Sequence, residues 1–236
     1  MEITPLGDSA LVVRISNDFG KAPEESIRTV LAAQRAIEAA AIPGVIECAP
    51  APASLGVFFD PGKLPRDVSG GDPFELLVQR IRAALPRRLS LRRARPRSRV
   101  HEVPVCYDPD FGWDIGAVAQ HTGLSSSKVV SRHASGEYRV QCVGFMPGFP
   151  YLTGLPPELS TPRRATPRTE VPAGSVAIGG AQTGIYPAKS PGGWSVIGRT
   201  PITLFDPAAN PPARLCAGDR VRFVSITRAE FDRAAV

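Results

Sequence analysis

Histidine is scarce in this chain, with three residues in 236. They stand apart at His101, His121 and His133, too few and too dispersed for a metal cluster, so no metal-binding motif is read in this chain. The four cysteines, Cys48, Cys106, Cys142 and Cys216, form no CxxC pair. They read as reduced thiols of a cytoplasmic protein, not as a disulfide frame or a zinc site. No apolar run approaches about 18 residues, which excludes a membrane-spanning helix. The opening MEITPLGDSALVV has no basic stretch followed by an apolar one, so no secretory signal is expected.

Several motifs are missing too. Lys189-Ser190 resembles the end of a phosphate-binding loop, but Ala188 occupies the position where glycine is required. Ser175 follows Ala173-Gly174, and Ala177 stands where the second glycine of GxSxG would be. There is no HExxH, and no lysine lies between two methionines as in biotin carriers, so covalent biotin is not expected. The chain therefore lacks a self-contained nucleotide site and an evident nucleophile. Lysine is rare as well, with four among the 28 basic residues. Seven arginines fall within residues 87–99 (RRLSLRRARPRSR), and the remaining bases nearly balance the 22 acids. The net charge of +6 is thus mostly one local block, read as an interdomain link or solvated face, with polyanion binding as the alternative.

Proline and glycine are abundant, at 25 and 22 residues. The length suits one large or two small domains, with a core that needs no disulfides. Residues 10–15 read as a strand after a turn at Gly7-Asp8. Pro23-Glu24-Glu25 starts a helix whose apolar spacing runs to about residue 41. Strands follow at 45–49 and 54–59, and Asp72 with Glu75 reads as a capping pattern for a second helix. With a further strand near 89–92, this order matches a ferredoxin-like βαββα(β) domain spanning 1–95. The second domain, 96–236, opens with a strand at 101–107. Residues 114–121 and 125–133 then form two short helices that resemble a helix-turn-helix, which admits a DNA reader. Against DNA, the second helix offers few groups to base edges, and a strand at 138–143 follows at once where a third helix is needed. A last strand is read at 220–226, and Thr227 with Glu230 caps a final helix.

Residues 144–201 organise the rest. Proline and glycine allow no long helix there, while Phe145, Phe149, Tyr151, Tyr186, Trp194 and the runs 175–178 and 195–197 imply short strands joined by shaped turns. From periodicity, this half is a barrel or a sandwich. Its loops carry arginine, amide and hydroxyl groups suited to a small polar or anionic ligand. Arg163 and Arg168 are candidates to grip a carboxylate or phosphate, and can equally serve ion pairs. Gln182 can both donate to and accept from an amide, and Tyr186 can donate to a developing oxyanion. Ser175, Thr183, Ser190 and the Gly179-Gly180 backbone complete the candidates. The aromatic rings fit a core or a subunit interface better than a stacking role.

The segments GFMPGFPYL, TPRRATPRTEVPAGSV, GGAQTGIYP and SPGGWSVIGRTP, with LGDSALVV at the start and LFDP near the end, resemble the carboxyltransferase-like family that includes KipI and PxpB. The resemblance covers most of the chain. It implies an α+β chain whose second half is a cyclophilin-like closed β-barrel with a short helix pair. It also implies a non-autonomous subunit of ATP-dependent 5-oxoprolinase, opening 5-oxo-L-proline to L-glutamate. ATP would act through a complex with a homologous, PxpC-like barrel subunit and a third, PxpA-like subunit. The site would lie near a barrel–barrel interface. Catalytic roles would fall to Arg168, Gln182 and Tyr186, and substrate contacts to Arg163, Ser175, Gly180, Thr183 and Ser190. Family members also imply two alternatives: a KipI-like inhibitor of a sensor histidine kinase, and a carboxyltransferase- or allophanate-hydrolase-associated subunit.

Overall fold

Strand β1 (Glu2–Pro5) pairs with β2 (Ala10–Arg14) in an opening hairpin. The computed structural model describes residues 1–15, 23–64, 72–85 and 100–234. The chain divides into two compact units, Met1–Arg97 and Ser98–Val236.

In the first unit, helix α1 (Pro23–Ala39), strands β3 (Val45–Pro50) and β4 (Ser54–Phe59) and helix α2 (Pro73–Ala84) follow the hairpin. The antiparallel sheet has the order β1-β2-β4-β3. Ile27, Val30, Ala33 and Ile37 recur at helical spacing on α1 and bury that face, while Leu11, Val13, Leu55 and Val57 answer from the sheet. Asp72 caps α2, its carboxylate accepting from the Phe74 N–H at 3.0 Å. The ferredoxin-like arrangement stands, with one element that sequence reading missed. β1 fills the edge beside β2, and its residues are exposed or half-buried and end in a proline. An edge strand needs no apolar alternation, so none signalled it. The strand anticipated near 89–92, and the arginine-rich segment 87–99 around it, lie outside the described residues.

The second unit is a closed seven-stranded barrel. Its strands are β5 (Val100–Cys106), β6 (Tyr138–Val143), β7 (Pro150–Thr153), β9 (Ser175–Gly179), β10 (Gln182–Ile185), β12 (Ser195–Arg199) and β13 (Arg220–Ile226), closing in the order β10-β7-β6-β13-β5-β12-β9. β13 runs parallel to β5, and every other pairing is antiparallel. A separate two-stranded ribbon joins β8 (Arg168–Val171) to β11 (Ser190–Gly192). Helices α3 (Ile115–Thr122) and α4 (Ser126–Ala134) form the anticipated pair. α4 is capped by Ser125, whose hydroxyl accepts from Lys128 N–H, and it sends Val129 and His133 into the barrel core. Arg132 pairs with Glu158 at 3.3 Å. The pair thus serves the barrel as a packing element. Thr227 and Glu230 form the expected reciprocal cap of α5 (Arg228–Ala234). Among the described residues no helix is long and apolar enough to cross a membrane.

His133 is fully buried and stacks on Phe223 with centroids 4.6 Å apart. Its Nε2 lies 3.0 Å from the Thr183 hydroxyl, which donates its own proton to the Ala177 carbonyl. Thr183 therefore accepts from Nε2–H, and Nδ1 accepts from the Tyr107 hydroxyl at 2.8 Å. Burial lowers the His133 pKa from 6.5 to about 3. Between those values the unfolded chain holds a proton that the folded chain excludes. The stability His133 contributes is thus fully present above pH 6.5 and is lost as pH falls toward 3. We expect the His133 contribution to fall by roughly 1 kcal/mol per pH unit within this window. Urea midpoints at stepped pH measure it, and His133→Gln should flatten the slope. Thr183→Val strands the Nε2–H without an acceptor and is expected to cost about 1–3 kcal/mol in the same assay.

Candidate functional site

The four segments of residues 144–201 singled out in the sequence meet at one cavity of about 290 Å³. Phe145, Phe149 and Tyr151 come from the first segment, Arg163, Arg164 and Pro167 from the second, Tyr186 from the third, and Pro191, Gly192, Gly193 and Trp194 from the fourth. Phe149 is the hub of its aromatic wall. It meets Tyr186 edge-on at 5.2 Å and Trp194 at 5.7 Å, with Tyr151 tilted at 4.9 Å. Phe149, Tyr186 and Trp194 are buried, whereas Phe145 is 63% exposed at the rim with φ of 71°. A bulky residue in that region is strained, and such strain gathers at functional positions.

The glycines of these segments seat the rings. A Cβ on Gly179 would strike the Trp194 indole, and one on Gly192 would strike the Tyr186 hydroxyl. A Cβ on Gly184 would lie 2.9 Å from the Pro150 carbonyl oxygen and 3.0 Å from Phe149. Each ring rests on bare backbone, so the wall is rigid and closely packed.

Arg163 holds its guanidinium 5.8 Å from the centroid of the Trp194 ring. Among the described residues no carboxylate pairs with it, and no acidic side chain lines the cavity. Arg164, Tyr151 and Tyr186 complete the polar side chains of the lining. Burial pushes both phenols above their ordinary pKa. The Cys142 thiol adds to the rise at Tyr151, and the Trp194 N–H and then Arg163 and Arg168 oppose it at Tyr186. Both therefore stay protonated as hydrogen-bond donors near neutral pH. An unpaired cation, two donors and an aromatic wall suit a small, flat anion.

Of the residues proposed from sequence, Arg163 and Tyr186 line this cavity and the others do not. Arg168 is held in both directions by Asp114, its Nη1 donating to Oδ2 at 2.7 Å and its Nη2 to Oδ1 at 2.8 Å. It also lies 5.3 Å from the centroid of the Trp113 ring. Gln182 on β10 donates to Gln141 Oε1 on β6, past the intervening β7, at 2.9 Å. Thr183 belongs to the His133 network in the core. Ser175 is 2% exposed, and its carbonyl receives the Tyr186 N–H. The Ser190 hydroxyl turns to the neighbouring Pro191 carbonyl at 3.1 Å. Gly180 turns the β9–β10 hairpin at φ 64°, and both its N–H and its carbonyl are taken by Thr161. The amide that the sequence offered to a ligand is bonded within the chain. These groups share one feature: partners within the chain already take up their hydrogen bonds.

Sequence reading missed Asp114 and treated it as a helix start. It is 3% exposed and makes no cap for α3. Two arginines and one backbone N–H converge on its carboxylate instead. The one available signal was that Arg163, Arg164 and Arg168 lie close together with no acid among them.

The sequence matches the carboxyltransferase domain, subdomain C and D, over residues 1–215. The chain belongs to this family. Its relatives include a 5-oxoprolinase subunit of the B type from Bacillus subtilis (strain 168), 42% identical over 98% of this chain and 95% of that protein. Another is the corresponding 5-oxoprolinase subunit from Escherichia coli O157:H7, 42% identical over 93% of each. Among solved structures, TTHA0988 superposes with a TM-score of 0.75 at 37% identity over 92% of this chain. The chain spans 40% of the length of that structure. This member of the carboxyltransferase-domain family thus places all four of its long motifs around one aromatic, cationic cavity.

Proposed function

We propose that this chain is a non-autonomous subunit of an ATP-dependent 5-oxoprolinase, contributing a binding site for the carboxylate of 5-oxo-L-proline. One observation carries the reading: Arg163, unpaired and resting on Trp194, faces a cavity of about 290 Å³ that has no acidic lining. A five-membered lactam bearing one carboxylate matches such a site in size and charge. The carboxylate takes the guanidinium, the flat ring lies along Phe149 and Trp194, and the phenols of Tyr151 and Tyr186 point donors at the lactam oxygen. The relatives that are named as 5-oxoprolinase subunits support the same reading.

The lining holds no histidine, carboxylate, lysine or thiol to act as base or nucleophile. On this reading the chain binds and orients substrate and stabilises negative charge on oxygen, and partner subunits supply the rest. The cavity does not fit a whole nucleotide. It offers one unpaired guanidinium and no glycine-rich turn leading into a helix, so no step through ATP is assigned to this chain.

The test is glutamate release from 5-oxoproline and ATP by co-expressed subunits, with and without this chain. Glutamate formed only when the chain is present is the expected result. An intact assembly that releases none overturns the reading.

A further inference from the structure

We propose that Asp114 is the positioning residue of this site: its buried carboxylate gathers Arg164 and Arg168 and so fixes the loop of residues 161–168 that carries Arg163 over Trp194. The inference rests on the reading of the cavity as a binding site.

The carboxylate is fully engaged. Oδ1 accepts from Arg164 Nη1 at 3.0 Å and from Arg168 Nη2 at 2.8 Å. Oδ2 accepts from Arg168 Nη1 and from the Val196 N–H, each at 2.7 Å. The Asp114 N–H returns a bond to the Val196 carbonyl at 2.8 Å. Asp114 thereby joins β12, two residues beyond Trp194, to the arginine loop. A two-pronged bond from a planar guanidinium to a buried carboxylate fixes orientation as well as distance.

The loop's other hydrogen bonds are backbone bonds, apart from the Thr161 hydroxyl, which donates to the Leu159 carbonyl at 3.0 Å. Thr161 bridges Gly180, and the Arg164 N–H donates to the Gly193 carbonyl at 2.7 Å. These hydrogen bonds set the path of the chain and hold no arginine side chain. Arg164 lines the cavity while one of its nitrogens is bound to Asp114. With Arg164 and Arg168 both turned to Asp114, Arg163 is the loop's guanidinium left for a ligand. Asp114 thus sorts three neighbouring cations into two that hold the wall and one that faces the cavity. Without its charge, two guanidinium groups lose their partner beside the site, and like charges next to Arg163 would drive the loop away from Trp194.

Asp114→Asn and Arg168→Ala test this in the full chain. Arg168 is not among the residues that line the cavity, so Arg168→Ala removes no lining side chain. The first readout is the indole N–H signal of Trp194 in a ¹H–¹⁵N spectrum, assigned with Trp113→Phe, for variants whose circular dichroism shows a retained fold. Both variants are expected to shift that signal in the direction that Arg163→Ala shifts it. In the assembled enzyme, both should raise KM for 5-oxoproline several-fold with a smaller change in kcat. Arg168→Lys, which keeps charge but not the fork, should fall between. A purely structural role would lower the amount of active enzyme and leave KM alone.

Should Asp114→Asn not fold, Arg168→Ala carries the test alone, since it leaves Asp114 with Arg164 and the Val196 N–H. A folded variant whose Trp194 signal and KM both match the parent overturns the proposal. If Arg163→Ala leaves KM unchanged while the Asp114 and Arg168 variants still move the Trp194 signal, positioning stands and the binding-site reading falls.

Discussion

Alanine at position 179 is expected to cost the protein about 1–3 kcal/mol and to abolish ligand binding at the cavity. The added methyl would fall on the Cδ2, Cε2 and Nε1 atoms of Trp194. That indole is 6% exposed and wedged edge-on between Phe149 at 5.7 Å and Tyr151 at 5.8 Å. A rigid bicyclic ring cannot bend around the methyl, so it must slide off its seat. It then leaves the guanidinium of Arg163 without its platform or fills the space meant for ligand. The urea midpoint reports the first effect and substrate KM the second. Gly180→Ala, one residue along, is the control. A Cβ there meets nothing within 4 Å, and the cost is the left-handed backbone alone, about 1 kcal/mol. Binding should survive it. If the two variants behave alike, the glycines of this segment serve the turn and not the ring.

That contrast also marks what could be read from the sequence. Proline and glycine punctuation with short β-branched runs was enough to place β9 and β12, and alternation located β6 and β13 to the residue. Capping chemistry placed the starts of α2 and α5, because a cap is a local interaction whose partners lie within four residues. The candidate cavity was legible mainly at the level of segments, with Arg163 and Tyr186 as the side chains read from sequence that line it. Whether an arginine faces a ligand or a carboxylate depends on groups that the fold brings from far along the chain. Arg168 and Asp114 are separated by 54 positions, and Thr183 and His133 by 50. A threonine between Gln182 and Gly184 reads as a polar group available for binding. In a closed barrel, alternation points it inward, where its hydroxyl must be satisfied by the core. Closure is a global property, and no local pattern announces it.

Arg163→Ala is expected to raise KM for 5-oxoproline in the assembled enzyme by about ten- to a hundredfold, with kcat changed far less. The magnitude follows from losing a charge-assisted hydrogen bond worth about 1.5–3 kcal/mol. It falls on KM because the carboxylate does not react and is bound equally in the ground and transition states. Arg163→Lys should recover part of the loss, since a lysine keeps the charge but neither the fork nor the flat face that rests on Trp194. Gln182→Ala should leave KM unchanged, because its amide is occupied by Gln141. Tyr186→Phe distinguishes the two kinds of contact. If its hydroxyl meets the lactam oxygen as charge develops there, kcat and kcat/KM fall together while KM holds. An Arg163 variant with a parental KM would mean that the carboxylate is bound elsewhere, and the cavity would lose its claim to the substrate even with every ring in place.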